Sequence, residues 1–200
     1  MIDYSDISKS ESDLLLKTWG YDLLDECNTM ITEANFTTGK ILDVATGTGR
    51  AVSLLSRISA KVITGDLSFD LKIESDRRIS NKHLDRVTYV QLNMERMPFK
   101  SNVVENIVCI NTLHELDNPD SCLAEIKRIS SPNAKLLIAD FNSEGFDVLD
   151  KVHSIRFNKL HRRGKISTNE IRNFLISSFT GVKEVNTKLN IGFIVTGKKK

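Results

Sequence analysis

The chain has 200 residues, 40% of them hydrophobic and 27% charged, with a net charge of +2 spread over mixed acids and bases. That length can bury one sizeable core, and the balanced charge leaves no electrostatic footprint for nucleic acid. Three cysteines (Cys27, Cys109, Cys122) at no zinc spacing point to a reducing compartment, the cytoplasm, while a polar opening MIDYSDISKSESD and the lack of a long apolar run point away from a signal peptide or a membrane span.

Residues 12–35 read as helical, broken near Gly20, with Leu14, Leu15, Leu16, Trp19, Leu23, Leu24 and Met30 as the apolar stripe. Residues 1–35 are expected to form a helical cap or lid, and 36–200 the main domain. Trp19 and Tyr21 are either an aromatic lid over a substrate or anchors in the core. Residues 40–44 form the first buried strand and 49–58 a helix. Residues 61–64 form a second strand ending at Gly65-Asp66, and Ser68 opens a helix to about Asn81. Strands follow at 87–92 and 103–110. Pro119 opens a helix to Ile129. Ser131-Pro132-Asn133 reads as a turn and 134–139 as the fifth strand, ending at Asp140. A helix over 145–157, a basic loop over 158–166 and a capping-box helix from Ser167 to about Ser178 come next. Two strands, 182–189 and 191–196, join tightly at Asn190, and Lys198-Lys199-Lys200 is a solvated tail. The fold class is therefore α/β: a Rossmann-like, doubly wound, seven-stranded sheet, mostly parallel, with a C-terminal antiparallel hairpin.

The most informative stretch is ILDVATGTGR, Ile41 to Arg50: an apolar strand ending in an acid, a glycine-rich turn, and the start of a helix. Small residues let a ligand approach the backbone, and a helix N-terminus offers free N–H groups. Asp43 separates it from a dinucleotide site, where a carboxylate would repel the pyrophosphate, and Val52 fills the third glycine place of G-x-G-x-x-G. An NAD(P)-dependent oxidoreductase is disfavoured on both counts. A fixed negative charge at Asp43 suits a cationic ligand.

Ligands of open α/β sheets bind beyond the carboxyl ends of the strands. That crown comprises Asp43, Ala45, Thr46, Gly47 and Gly49, then Asp66 and Leu67, then Asn93, Met94 and Glu95, then Asn111, Thr112, His114 and Glu115, then Asp140, Phe141 and Asn142. Asp66 can accept both hydrogens of a ribose diol. Asn93 can either pair with an adenine edge or cap its own loop.

The order ILDVATGTGR, ITGDLS, YVQLNMERMPF and NIVCINTLHELDNPDSCLAEIKRISSPNAKLLIADF resembles the class I S-adenosylmethionine-dependent methyltransferases, in the flavour of the quinone-pathway C-methyltransferases, over about residues 36–142. The resemblance implies S-adenosylmethionine as cofactor and S-adenosylhomocysteine as product. It implies that Asp43 and the Ala45–Gly49 turn wrap the methionine part, that Asp66 and Leu67 hold the ribose, that Asn93 and Met94 flank adenine, and that Asn111 lies near the transferred methyl. Ala45 stands where the family usually has glycine, Val104-Glu105 where it has Phe-Asp, and Asn133-Ala134 where it has Gly-Gly.

Methyl transfer from a sulfonium is an in-line displacement, so alignment, exclusion of water and at most a base are required. His114 is the first choice for that base, with Asp140 and His153 as further catalytic candidates; His83 falls on the other side of the sheet. Convergence of Asp140, His114, His153 and His161 into a carboxylate–histidine site is an alternative to solvated histidines, although no ligand spacing marks a metal. Arg156, Arg162 and Arg163 make the cap basic, which admits an anionic acceptor. The nucleophile motifs of adenine- and cytosine-methylating enzymes are absent, which leaves a small-molecule acceptor. A non-catalytic S-adenosylmethionine-binding protein would keep Asp43, Gly47 and Asp66 but lack an acceptor pocket.

Overall fold

Alternate residues of the central strands face opposite sides, and both sides are buried, as a parallel sheet between helices requires. The computed structural model describes residues 1–36 and 39–199. In chain order it contains α1 (Glu11–Thr18), α2 (Leu23–Ala34), β1 (Lys40–Val44), α3 (Arg50–Ile58), β2 (Lys61–Asp66), α4 (Lys72–Arg78), β3 (Val87–Gln91), β4 (Val104–Ile110), α5 (Pro119–Ile129), β5 (Ser130–Phe141), α6 (Ser143–Phe157), α7 (Thr168–Ser178), β6 (Phe179–Asn186) and β7 (Asn190–Lys198), with single 3-10 segments at Asn81–Arg86 and Leu113–Glu115. Leu42, Ile107, Cys109, Leu136, Ile138, Phe193 and Val195 face one way and pack under α5 and α7. Their neighbours Ile41, Val108, Leu137, Ala139 and Ile194 face the other way and pack under α2 and α3.

The strand order is β3-β2-β1-β4-β5-β7-β6. β1 to β5 are parallel, and β7 runs antiparallel to both β5 and β6. The order reverses between β1 and β4, so the crevice for a ligand opens above those two strands. This is the doubly wound sheet with a terminal hairpin that the sequence predicts.

The N-terminal segment divides in two. Leu24, Cys27, Met30, Ile31 and Ala34 of α2 sit in the same core as α3 and the sheet, so α2 is a layer of the domain rather than a detachable lid. α1 packs through Leu16 against Val148, Leu149 and Val152 of α6. A capping box starts α1: Asp13 N–H donates to the Ser10 hydroxyl, and the Asp13 carboxylate accepts from Ser10 N. Trp19 and Tyr21 pack on this α1–α6 cluster, with the Tyr21 hydroxyl on Glu144, so they anchor the core.

Several boundaries differ from the sequence reading. Ser131-Pro132-Asn133 is not a turn before the strand. β5 runs through it, and the register against β4 jumps from Val104–Ser130 to Asn106–Lys135, so the turn residues mark a bulge. α4 starts at Lys72 rather than Ser68, whose hydroxyl closes a turn on Asp70 N. β6 begins directly at the end of α7, at Phe179. Lys198 is not solvated tail: it ends β7, and its ammonium donates to the carbonyls of Arg128 and Ser130. Lys200 lies outside the described residues.

Candidate active site

The turn after β1 is built by backbone geometry. Thr46 N donates to Gly65 O and Gly49 N to Thr46 O. Ala45 has φ +67°, which explains why glycine is usual there. Gly49, at φ +88°, caps α3 without a side-chain hydrogen bond, and a Cβ on it would lie 2.5 Å from the Ser75 hydroxyl. α3 and α4 meet closely at that point, and the first-turn N–H groups of α3 remain without a side-chain partner.

Above this turn lies a cleft of about 620 Å³, walled by the turn from Ala45 to Thr48, by Asp66 and Leu67, by Asn93 and Met94, and by Asn111, Thr112 and Glu115. Leu23, Cys27 and Met30 of α2 close one side of it. Asp66 ends β2; its Oδ2 accepts from Gly47 N at 2.8 Å and its Oδ1 from Leu67 N at 2.8 Å. Each oxygen keeps lone-pair capacity toward the cleft. The Asn93 Oδ1 accepts from Glu95 N at 2.8 Å, so that oxygen caps its loop while the amide NH2 stays available. Nothing lies within 4 Å of where a Cβ on Gly47 would sit. Asn111, at φ +56°, aligns its backbone N–H on Ala139 O, and its buried Oδ1 has no partner among the described residues.

Asp43 corrects the sequence reading. It is buried beneath the turn and is not part of the cleft wall. Thr64 donates to its Oδ2 at 2.7 Å, and Thr46 lies 2.6 Å from Thr64 in turn. Burial, with a contribution from the Asp66 charge, raises the Asp43 pKa to about 7 against the Thr64 hydrogen bond. It is not a fixed negative charge. Its visible role is to hold the turn through Thr64 and Thr46.

A second constellation lies behind the cleft. The His114 ring is 1% exposed. Its Nδ1 lies 2.5 Å from Asp140 Oδ1, and its backbone N–H donates to Asp140 Oδ2 at 2.9 Å. Its Nε2 lies 2.9 Å from His161 Nε2, and His161 Nδ1 lies 3.1 Å from His153 Nε2. Asp140, His114, His161 and His153 therefore form one continuous chain, the convergence weighed from the sequence. Glu115 flanks it, with Oε1 at 3.7 Å from His114 Nε2 and 3.8 Å from His161 Nε2, and also lines the cleft. Burial disfavours a charge on His114, but hydrogen bonding to Asp140 and the nearby Glu115 carboxylate outweigh it, and its pKa rises to about 9. The His114 cation holds Glu115 below the usual carboxylate range. Burial, then the charge on His114, pushes His161 down to about 4. Burial and Lys159 lower His153. The charged form is thus favoured on His114, beside Asp140, and disfavoured on His161.

A methyltransferase domain family matches residues 42–138. Residues 42–138 are thus similar to that family, over just under half of the chain. Among relatives, the ubiquinone/menaquinone biosynthesis C-methyltransferase UbiE of Shewanella pealeana is 29% identical over 136 residues, which cover 66% of this chain and 54% of that protein. That of Haemophilus ducreyi is 28% identical over 140 residues, 68% and 54% of the two chains. This chain spans about half the length of these curated relatives. A SAM-dependent methyltransferase from Aquifex aeolicus superposes with a TM-score of 0.62 at 21% identity, over 94% of this chain and 99% of that one. The PH0226 protein of Pyrococcus horikoshii does so with 0.70 at 16%, over 98% and 95%. At those identities the structures speak for the fold.

Within this fold, the cleft gathers Ala45, Thr46, Gly47, Asp66, Leu67, Asn93, Met94 and Asn111, and leaves Asp43 and Gly49 beneath it. His114, Asp140 and His153 do not line the cleft: β4 ends at it with Ile110, and Glu115 stands between it and the histidines. His114 is therefore a group behind the wall and not one in contact with a ligand of the cleft. His83 is remote, as expected, on the 3-10 segment before β3. The sequence reading placed Glu115 in the crown but gave it no role, and missed it as the residue that faces both cleft and histidines. It also missed Asp13, which pairs with Arg50 at 2.8 Å and Arg78 at 2.6 Å. Each arginine of the basic cap has an acidic neighbour: Arg156 pairs with Glu11, Arg162 with Asp117, and Arg163 with Asp147 and Asp150. Arg162 also lines the cleft, and its pair with Asp117 is exposed.

Proposed function

We propose that this chain transfers a methyl group from S-adenosylmethionine to a small-molecule acceptor in the cleft. The observation that carries the reading is the Asn111 Oδ1, buried at the cleft wall with no donor among the described residues. A buried acceptor left unpaired costs about 1–3 kcal/mol, and the ammonium of a methionine moiety would satisfy it. The open space above Gly47 supports the same placement, because a ligand can lie against bare backbone there. Asp66 would hold the ribose hydroxyls, and Asn93 and Met94 would flank the adenine. Bound there, the cofactor supplies an electrophilic methyl on a cationic sulfur.

The chain's own contribution is alignment and exclusion of water. Leu116 and Cys122 supply apolar wall beside Thr112 and Glu115. Glu115 is the group placed to meet a proton from the acceptor, and Asp140 and His114 position it from behind. The names of the curated relatives denote methylation at carbon in quinone biosynthesis, which supports a phenol- or hydroquinone-like acceptor. Among the described residues no helix is long and apolar enough to cross a membrane. Three free, buried cysteines support a reducing compartment such as the cytoplasm.

The test is calorimetric titration with S-adenosylhomocysteine, followed by transfer of labelled methyl from S-adenosylmethionine to a panel of hydroquinones, catechols, amines and thiols. Saturable heat and label in a hydroquinone are expected. No heat with either form of the cofactor overturns the reading.

A further inference from the structure

We infer that His114, His161 and Glu115 form a binding site for a divalent transition-metal ion of the zinc type, at the wall of the cleft. The three donor atoms lie within 4.8 Å of one another. They span a triangle with sides of 2.9, 3.7 and 3.8 Å. The point equidistant from its corners lies about 2.0 Å from each atom, the bond length zinc makes to imidazole and carboxylate. Two imidazoles and one carboxylate suit zinc, cobalt or nickel rather than magnesium or calcium, which prefer oxygen alone.

The surroundings are those of a metal ligand set. His114 can give its Nδ1–H to Asp140, and His161 can give its Nδ1–H to His153, so both Nε2 lone pairs are free to point at one ion. Asp140 is itself fixed by the N–H groups of His114 and Phe141. The rings of Phe141 and Phe146 stand edge-on to His114 at 5.4 and 5.2 Å and keep water from its faces. His161 is held by its own N–H on Asp150 at 2.9 Å. Loading replaces the proton between His114 and His161. That hydrogen bond breaks, the two rings swing, and the nitrogens part from 2.9 Å toward about 3.3 Å, the separation of a tetrahedral pair. Three protein ligands leave a fourth position open on the exposed Glu115 side, where a water or an oxygen of the acceptor completes the shell. The ion turns Glu115 from a base facing the acceptor into a ligand.

The test uses the full chain after treatment with a chelator, titrated with Zn2+ by calorimetry and with Co2+ by visible absorption. One equivalent of Zn2+ and a Co2+ spectrum of low coordination number are expected. Glu115→Gln, at an exposed side chain that folding does not depend on, and His161→Ala should each weaken Zn2+ binding at least 10-fold. His83→Ala should leave it unchanged. Absence of saturable binding, or binding undiminished in both Glu115→Gln and His161→Ala, overturns the site. Binding of S-adenosylhomocysteine to the metal-free protein reads the cofactor reading separately, so the two can fail independently.

Discussion

Replacing Asp13 by alanine should destabilise this fold strongly. Asp13 is 4% exposed. Its Oδ1 accepts from Arg50 Nε at 3.0 Å and Nη2 at 2.8 Å, and its Oδ2 accepts from Arg78 Nη2 at 2.6 Å and from Ser10 N at 2.9 Å. One carboxylate thus joins α1 to the first residue of α3 and to α4. The Arg78 side chain is 1% exposed, and among the described residues its only other acid is Glu74, at 3.8 Å. Asp13→Ala leaves that guanidinium buried without a close counter-charge, which costs about 3–5 kcal/mol. With a urea slope of about 2 kcal/mol per M, the midpoint should fall by about 1.5–2.5 M, read by circular dichroism. Arg78→Met added to Asp13→Ala should recover part of that loss. The pH dependence has a definite sign. Burial opposes ionisation of Asp13, but Arg50 and Arg78 outweigh it and hold the carboxyl well below the usual carboxylate range. A lowered folded-state pKa stabilises fully above the unfolded value, about 3.9, and that stabilisation is lost as pH falls from there toward the folded value. The gap between wild type and Asp13→Ala should therefore narrow below about pH 4. A midpoint shift under about 0.5 M at neutral pH, the size of an exposed ion pair, would refute the reasoning.

Asp66→Ala should raise the S-adenosylhomocysteine Kd about 10- to 150-fold, or about 1.5–3 kcal/mol, in calorimetry; an unchanged Kd would remove Asp66 from the site. Gly47→Val should stay folded, since nothing crowds the position, at a cost of about 1–2 kcal/mol for a side chain at φ +50°, while the cofactor titration goes flat. Retained binding would place the ligand elsewhere. Gly164→Ala would put a Cβ 1.7 Å from the His114 carbonyl oxygen, so residues 158–166 must shift. His161 should then titrate closer to an ordinary histidine than to about 4, followed by imidazole resonances, and an unmoved titration would count against its seat on His114.

Local signals carried the strands, the turn after β1 and the capping box of α7, because period-2 alternation and cap chemistry act over a few residues. They failed where the same residues can serve two geometries. Ser131-Pro132-Asn133 reads as a turn and folds as a bulge, since β4 supplies a partner strand that the local sequence does not show. Asp43 reads as a charge for a ligand, yet its protonation is set by how deeply β1 is buried.

The amino-acid order by itself determined the doubly wound sheet, the cleft at its switch point and the acids and amides that ring it, because strand ends and glycine turns follow from short-range pattern. Only the tertiary structure decided which of those groups face the cleft. Asp140, His114 and His161 lie 26 and 47 residues apart along the chain and meet because the segment after α6 folds back onto His114. Such contacts are products of packing between distant elements, and no spacing along the chain encodes them.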